Sequence, residues 1–533
     1  MLPFTKLFTF TLLGLIGLNQ AAVVTQKWTL ANRIISPDGY NRSAALVNGQ
    51  YPGPLLKFNK GDTGLIQLNN HLTDPTMRRS TSIHWHGIFQ HRNAEYVEVA
   101  LILRTYKLNS STETTDRHLS LNALLLHNDP HDPNKHLYDV DDDTTVITLS
   151  DWYHETALNL EKAWFAGAPE PVPDSGLINS AGRYVNGSLV PRTRINVQKG
   201  KRYRLRLSPP SKVKLKSGQF NVSIQNHRMT VIEADGIAVK PYVVDSLPIL
   251  PAQRYSVVVS NPSILDIAVP NGMIAYSDSL QGSALNRQSS VLQPHEIIRT
   301  VSDLYVDYLS LVSISQKSCL VNGTDTFAVL HYAGASSGEP TTSQPLINPG
   351  AYGGSSPPDQ LFNFTFGTNA SNGDLWFINN IQYQPPKLPT LLNILTHANP
   401  TFGTNEHTLT LKPNATIEIA FIGGRGHPFH LHGHVFDIIQ SADGGPPNYK
   451  NPPRRDTVSS GGTTVAPVRI RFRTDNPGPW FLHCHIEWHL EAGLAAVFAE
   501  DPSGIRSGPK SVRPDSQWAQ LCNIYNKLPP ALQ

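Results

Sequence analysis

"PWFLHCHIEWHLEAGL", residues 479–494, carries His483, Cys484, His485 and His489 within seven positions. On a β-strand successive side chains point to opposite faces. His483 and His485 then share one face and Cys484 takes the other. One strand can therefore serve two metal centres, with a thiolate toward one and two imidazoles toward the other.

A second histidine-rich segment, "GRGHPFHLHGHVF" at 424–436, supplies His427, His430, His432 and His434. Strand spacing lets His430 and His432 converge while their neighbours face elsewhere. Far upstream, "SIHWHG" at 82–87 places His84 and His86 two apart. A single His-x-His is more often structural than functional, and "HPFHLHGH" alone could be an adventitious zinc binder. The joint set is more specific. Two imidazoles, a thiolate and a weak axial partner make the ligand chemistry of an electron-transfer copper site, which His427, Cys484 and His489 can provide. Ten residues after the cysteine stands Leu494, which cannot coordinate. A non-ligating axial position favours reduced copper and raises the potential.

The rest of the chain fits a β-rich secreted protein. Its 533 residues suggest about three domains. Charged residues make up 16%, with 42 Pro and 38 Gly, a loop-rich globular profile. The net charge of +3 gives no reason to expect nucleic acid. Lys6 precedes an apolar run from Leu7 to Leu18 with Ala21 and Ala22 beyond it, the pattern of a cleaved leader over residues 1–21. No later apolar run is long enough to span a membrane. Eight N-x-[ST] sequons, including Asn41, Asn363 and Asn414, suit an extracellular surface. Cys319, Cys484 and Cys522 allow at most one intramolecular disulfide. "GLIQLNN", "TTVITLS", "RYSVVVS", "ATIEIAF" and "PVRIRFRT" read as strands between Gly-, Pro- and Asn-rich turns. Stacked β-sandwiches or barrels are the natural architecture.

"HWHG", "HPFHLHGH" and "HCHIEWHLEAG" resemble the copper-binding signatures of multicopper oxidases. "LYDVDDDTTVITLSDWYH", "MTVIEADGI", "VDSLPILPAQRYSVVV" and "RTDNPGPWFLHCHIEWH" narrow the resemblance to fungal laccases. It implies an all-β fold of three consecutive cupredoxin-like Greek-key domains, here 22–145, 146–325 and 326–533. It also implies four coppers: type 1 on His427, Cys484 and His489; type 2 on His84 and His430; and a type 3 pair on His86, His432, His483 and His485. His434 matches a motif position that is not a ligand. The implied activity is one-electron oxidation of small phenols coupled to reduction of O2 to water by a secreted monomer. Cys484, His483 and His485 would link the two centres, with Glu487 as an acidic neighbour. A ferroxidase, or a copper-binding glycoprotein without catalysis, are the alternatives.

The chain departs from that family in three places. Laccases carry a second His-x-His some forty residues after "HWHG", which gives each type 3 copper one more imidazole. Here no His-x-His stands between His86 and His430. His91, His118, His127, His131 and His136 lack that spacing, so the type 3 pair is expected to be depleted and the activity impaired. The family's acid near the trinuclear site and its domain 1 cysteine are missing from the same gap. Residues 207–219 replace a stretch with a substrate-contacting acid, and 263–323 have little family character. Such abrupt losses suggest a mis-spliced or frame-shifted coding sequence.

Overall fold

The computed structural model describes the chain from Ala22 onward apart from residues 80–82, 95–102, 110–115, 119–123, 209–219, 261–272, 278–308, 316–344, 370–374 and shorter stretches elsewhere. The leader, Cys319, Cys522 and most of the three aberrant segments lie outside the described residues.

Alternation becomes structure directly. "GLIQLNN" lies in the strand Thr63–His71, where Ile66 and Leu68 are buried and Leu65 and Gln67 only partly so. The other four runs fall in Val146–Trp152, Tyr255–Ser260, Thr416–Ile422 and Val468–Arg473. Among the described residues, strands assemble into three successive pairs of sheets. The first pair has four and three strands and spans Val23 to Asn128. The second has seven and five strands, from Val146 to Ser315. The third has six and five, from Gln360 to Glu500.

Core packing decides how these pairs meet. The middle pair encloses its own apolar cluster, with Leu149, Leu205 and Val257 from one sheet against Val222, Leu247 and Ile249 from the other. The first and third pairs share a single cluster, in which Trp28, Ile83 and Trp85 join Phe429, Trp480 and Leu482. Burying each such side chain is worth about 1.5–3 kcal/mol. A continuous cluster therefore fixes the N-terminal sandwich against the C-terminal one, and the two histidine-bearing regions meet along that seam.

Candidate metal centres

The strand Gly478–Cys484 runs antiparallel to Pro428–Leu431, with Phe429 opposite Cys484 and His430 opposite His483. Residues directly opposite in an antiparallel pair project to the same face. His430 and His483 are thus driven to one side, and Cys484 to the other. After Cys484 the chain enters the short helix Glu487–Glu491, which carries His489 back toward the thiol. Trp488 anchors that helix by donating from Nε1 to the Tyr153 hydroxyl at 3.2 Å. Gly493 follows it at φ 104°, a left-handed turn suited to glycine. The turn brings Leu494 under Cys484, whose N–H donates to the Leu494 carbonyl at 3.1 Å.

On the thiol side, Cys484 Sγ lies 3.6 Å from His427 Nδ1 and 3.7 Å from His489 Nδ1, and the two nitrogens are 2.9 Å apart. A point equidistant from these three atoms is about 2 Å from each, close to the usual metal–imidazole bond length. Burial pushes the Cys484 thiol well above its ordinary pKa. It is therefore inert as a free nucleophile and needs a metal to displace its proton. Leu494 is fully buried in the apolar cluster and offers no donor. Trp376 packs on both imidazoles, with ring centroids 4.3 Å from His427 and 4.9 Å from His489. His489 alone among the three ligands keeps an open edge, 12% exposed, where its Nε2 is 3.5 Å from Glu170 Oε1.

On the other side, six imidazoles share one pocket: His84, His86, His430, His432, His483 and His485. The rings of His84 and His432 stack at 4.0 Å, and those of His86 and His430 at 3.8 Å. His432 Nε2 and His483 Nε2 face each other at 3.0 Å, and the His485 ring lies 5.2 Å from His86 and from His483. Burial is the main force on their protonation; neighbouring histidines add to it for all but His485, and the Arg254 charge adds to it for His84, His86 and His485. Together these hold His84, His86, His430 and His432 well below the usual histidine value, His483 at about 3 and His485 at about 4. All six are neutral at physiological pH and so have a lone pair to offer a metal. Both ring nitrogens of His84, Nε2 of His430 and Nδ1 of His485 are buried without a hydrogen-bond partner among the described residues. Each such orphan costs about 1–3 kcal/mol, a penalty that metal coordination removes. His483 Nδ1 donates to the Cys484 carbonyl at 2.9 Å, which leaves Nε2 as the donor atom toward the pocket. Cys484 and His483 thus join the two centres through one peptide unit and that hydrogen bond.

Three multicopper oxidase family models match residues 29–106, 143–263 and 383–504. Laccase-2 of Thanatephorus cucumeris is 39% identical, with 99% of both chains covered. Laccase-4 of the same fungus is 42% identical over 89% of each, and Laccase-1 of Agaricus bisporus 37% over 96% of each. This chain is a multicopper oxidase of the fungal laccase group. Among solved structures, the laccase of Botrytis aclada superposes with a TM-score of 0.72 at 27% identity, covering 96% of this chain and 93% of that one. Fet3p, described as a multicopper oxidase that functions in iron import, superposes with a TM-score of 0.74 at 27% identity, covering 95% of each. The paired sheets are its three cupredoxin-like domains.

Copper fits both donor sets of this multicopper oxidase: a thiolate with two imidazoles, and a pocket of neutral imidazoles. Among the described residues, three groups of donor atoms lie within 4.8 Å of one another: His427, Cys484 and His489; His84, His430 and His432; and His86, His430 and Asp456. The second group mixes ligands that the family resemblance divides between type 2 and type 3. His434 turns away from the pocket, and its Nε2 is 3.0 Å from buried Glu500 Oε2. Glu487 occupies the first turn of its helix, half-buried, and acts on His483 and Cys484 through its charge. In the gap, His91 Nδ1 hydrogen-bonds Asn476 Oδ1 at 2.9 Å, while His131 and His136 are exposed. The side chains of His118 and His127 lie outside the described residues. Sequence reasoning did not find Glu170, Trp376 or Asp456. No spacing rule links them to the histidines, and only the tertiary fold brings them there.

Proposed function

We propose that the chain is a secreted, monomeric laccase that oxidises phenols and diphenols by single electrons and reduces O2 to water. The observation that carries this reading is the alternation at His483–Cys484–His485, which joins a buried thiolate site, open only at the edge of His489, to a buried imidazole pocket. Bound copper supplies the redox chemistry. The protein's own contribution begins at the open edge of His489, where a small aromatic can approach. Glu170 is placed beside that edge to accept the proton a phenol sheds with its electron. The apolar wall of Trp376 and Leu494 keeps water from the thiolate, and the closed imidazole pocket excludes the phenol from the oxygen site. The leader pattern at 1–21 and exposed sequons at Asn41, Asn363 and Asn414 support an extracellular location.

The same Glu170 supports a second reading, oxidation of iron(II), because a carboxylate beside the electron-accepting histidine attracts a small cation. Oxygen uptake with a diphenol and with iron(II) separates the two. The expected result is phenol-dependent uptake, with Glu170→Gln lowering iron oxidation more steeply than phenol oxidation. Uptake with iron(II) alone would replace the first reading with the second.

Among the described residues the pocket holds six histidines where the family resemblance implies eight, and the depletion reading rests on the sequence, which has no His-x-His between His86 and His430. Fewer than four coppers per chain and slow turnover are expected. Four coppers with turnover typical of laccases would refute that depletion.

A further inference from the structure

Among the described residues the middle domain supplies no histidine to either centre, yet it reaches the imidazole pocket through a pair of crossed, buried ion pairs. Arg254, preceding the strand Tyr255–Ser260, donates from Nη1 to Asp456 Oδ1 and from Nη2 to Asp456 Oδ2, each at 2.8 Å. In return Arg455 donates from Nε and Nη2 to the two carboxylate oxygens of Asp235, at 2.8 and 3.0 Å. Arg455 also reaches the Tyr255 hydroxyl at 2.5 Å. All four charged residues are at most 2% exposed.

Asp456 is where this lock touches the pocket. Its backbone carbonyl accepts a hydrogen bond from His430 Nδ1 at 2.9 Å. Its Oδ1 lies 3.5 Å from His86 Nε2 and 3.8 Å from His430 Nδ1, and accepts from the Thr457 hydroxyl at 3.0 Å. One residue therefore faces an imidazole from the first domain and another from the third. Metal-bound histidines depend on such partners. A carboxylate or carbonyl on the far nitrogen fixes the tautomer and aims the other nitrogen at the metal. A lone buried carboxylate would be costly, and removing one partner from a buried pair typically costs 3–5 kcal/mol. The two-pronged guanidinium of Arg254 neutralises the charge and holds the carboxylate plane in one orientation, which a lysine ammonium cannot do.

We propose that Arg254 and Asp456 are positioning residues for the trinuclear pocket. Asp456 orients His86 and His430, and the middle domain holds Asp456 in place through Arg254. The inference rests on the pocket's being a copper site, as proposed above.

The test uses full-length protein and copper alone. The visible absorption of the thiolate copper reports folding of the third domain. Copper content and the electron paramagnetic resonance signal of the non-thiolate copper report the pocket. In Arg254→Gln/Asp456→Asn both charges and the fork are removed together, so neither partner is left as an unpaired buried charge. This variant is expected to keep the visible absorption and to bind pocket copper about 10- to 100-fold more weakly, with an altered resonance signal. Arg254→Lys, which keeps charge but loses the fork, is expected to shift the same signal to a smaller extent. Pocket affinity and resonance like those of the parent protein in either variant that retains visible absorption would overturn the proposal. If neither variant shows visible absorption, the pair acts on the whole fold and the positioning role is likewise overturned. A parent protein that loads only the thiolate site would instead refute the copper pocket itself.

Discussion

Cys484 shows how one side chain's surroundings set its chemistry. Its thiol is buried in the apolar cluster that also holds Leu494 and is flanked by two imidazoles, so its proton leaves only in exchange for a metal. Leu494 then decides the character of that metal, because a weak axial ligand tunes the potential of such sites. Leu494→Met conserves volume and should cost less than about 1.5 kcal/mol of stability. It would add a thioether beside the copper. The expected outcome is a lower thiolate-copper potential in a redox titration, with slower oxidation of the phenols hardest to oxidise. An unchanged or higher potential would show that the axial position is not at Leu494. The gathering of the histidines and Cys484 into two clusters was legible in the sequence because few residue types suit copper and their spacing encodes strand faces. Glu170, Arg254 and Asp456 were not, since a charged residue has no periodic signature and reads as surface until the fold buries it.

At the scale of elements, strand alternation carried most of the information. Each of the five runs read as strands is one, because half-buried sheets impose period two on the sequence. The turn after Pro428–Leu431 was less legible. His432 lies beyond the end of that strand, so ideal alternation does not place it. Gly433 does. Its φ of 73° is left-handed, and a Cβ there would come within 2.4 Å of the Trp480 ring. Its carbonyl also accepts from Asn476 Nδ2 at 3.1 Å. Gly433→Ala should therefore cost at least about 1–3 kcal/mol in backbone strain, before any displacement of the indole. Because the turn follows directly on His432, copper loss is expected from the imidazole pocket first, while the thiolate copper retains its visible absorption. Equal loss from both centres, or none with an unchanged melting temperature, would contradict this local account.

At the scale of the whole molecule, the seam between first and third domains encloses six neutral imidazoles. Without copper this arrangement carries a pH liability. Each pocket histidine has a folded-state pKa below its unfolded value of about 6.5. The unfolded chain therefore binds more protons than the folded one, and stability falls as the pH drops below about 6.5. The loss continues until the folded values are reached, about 4 for His485 and about 3 for His483. At pH 5 a histidine still held neutral forfeits about 2 kcal/mol. Two of them already forfeit a large part of the roughly 5–15 kcal/mol that stabilises a typical protein. Denaturant unfolding of copper-free protein should thus give a markedly lower midpoint at pH 5 than at pH 7. Replacing His485 by Leu should flatten that dependence, because it removes one proton-linked site from the seam. A midpoint independent of pH, or higher at pH 5, would mean that the imidazoles are protonated inside the fold. The pocket would then be built for an anion and not for copper.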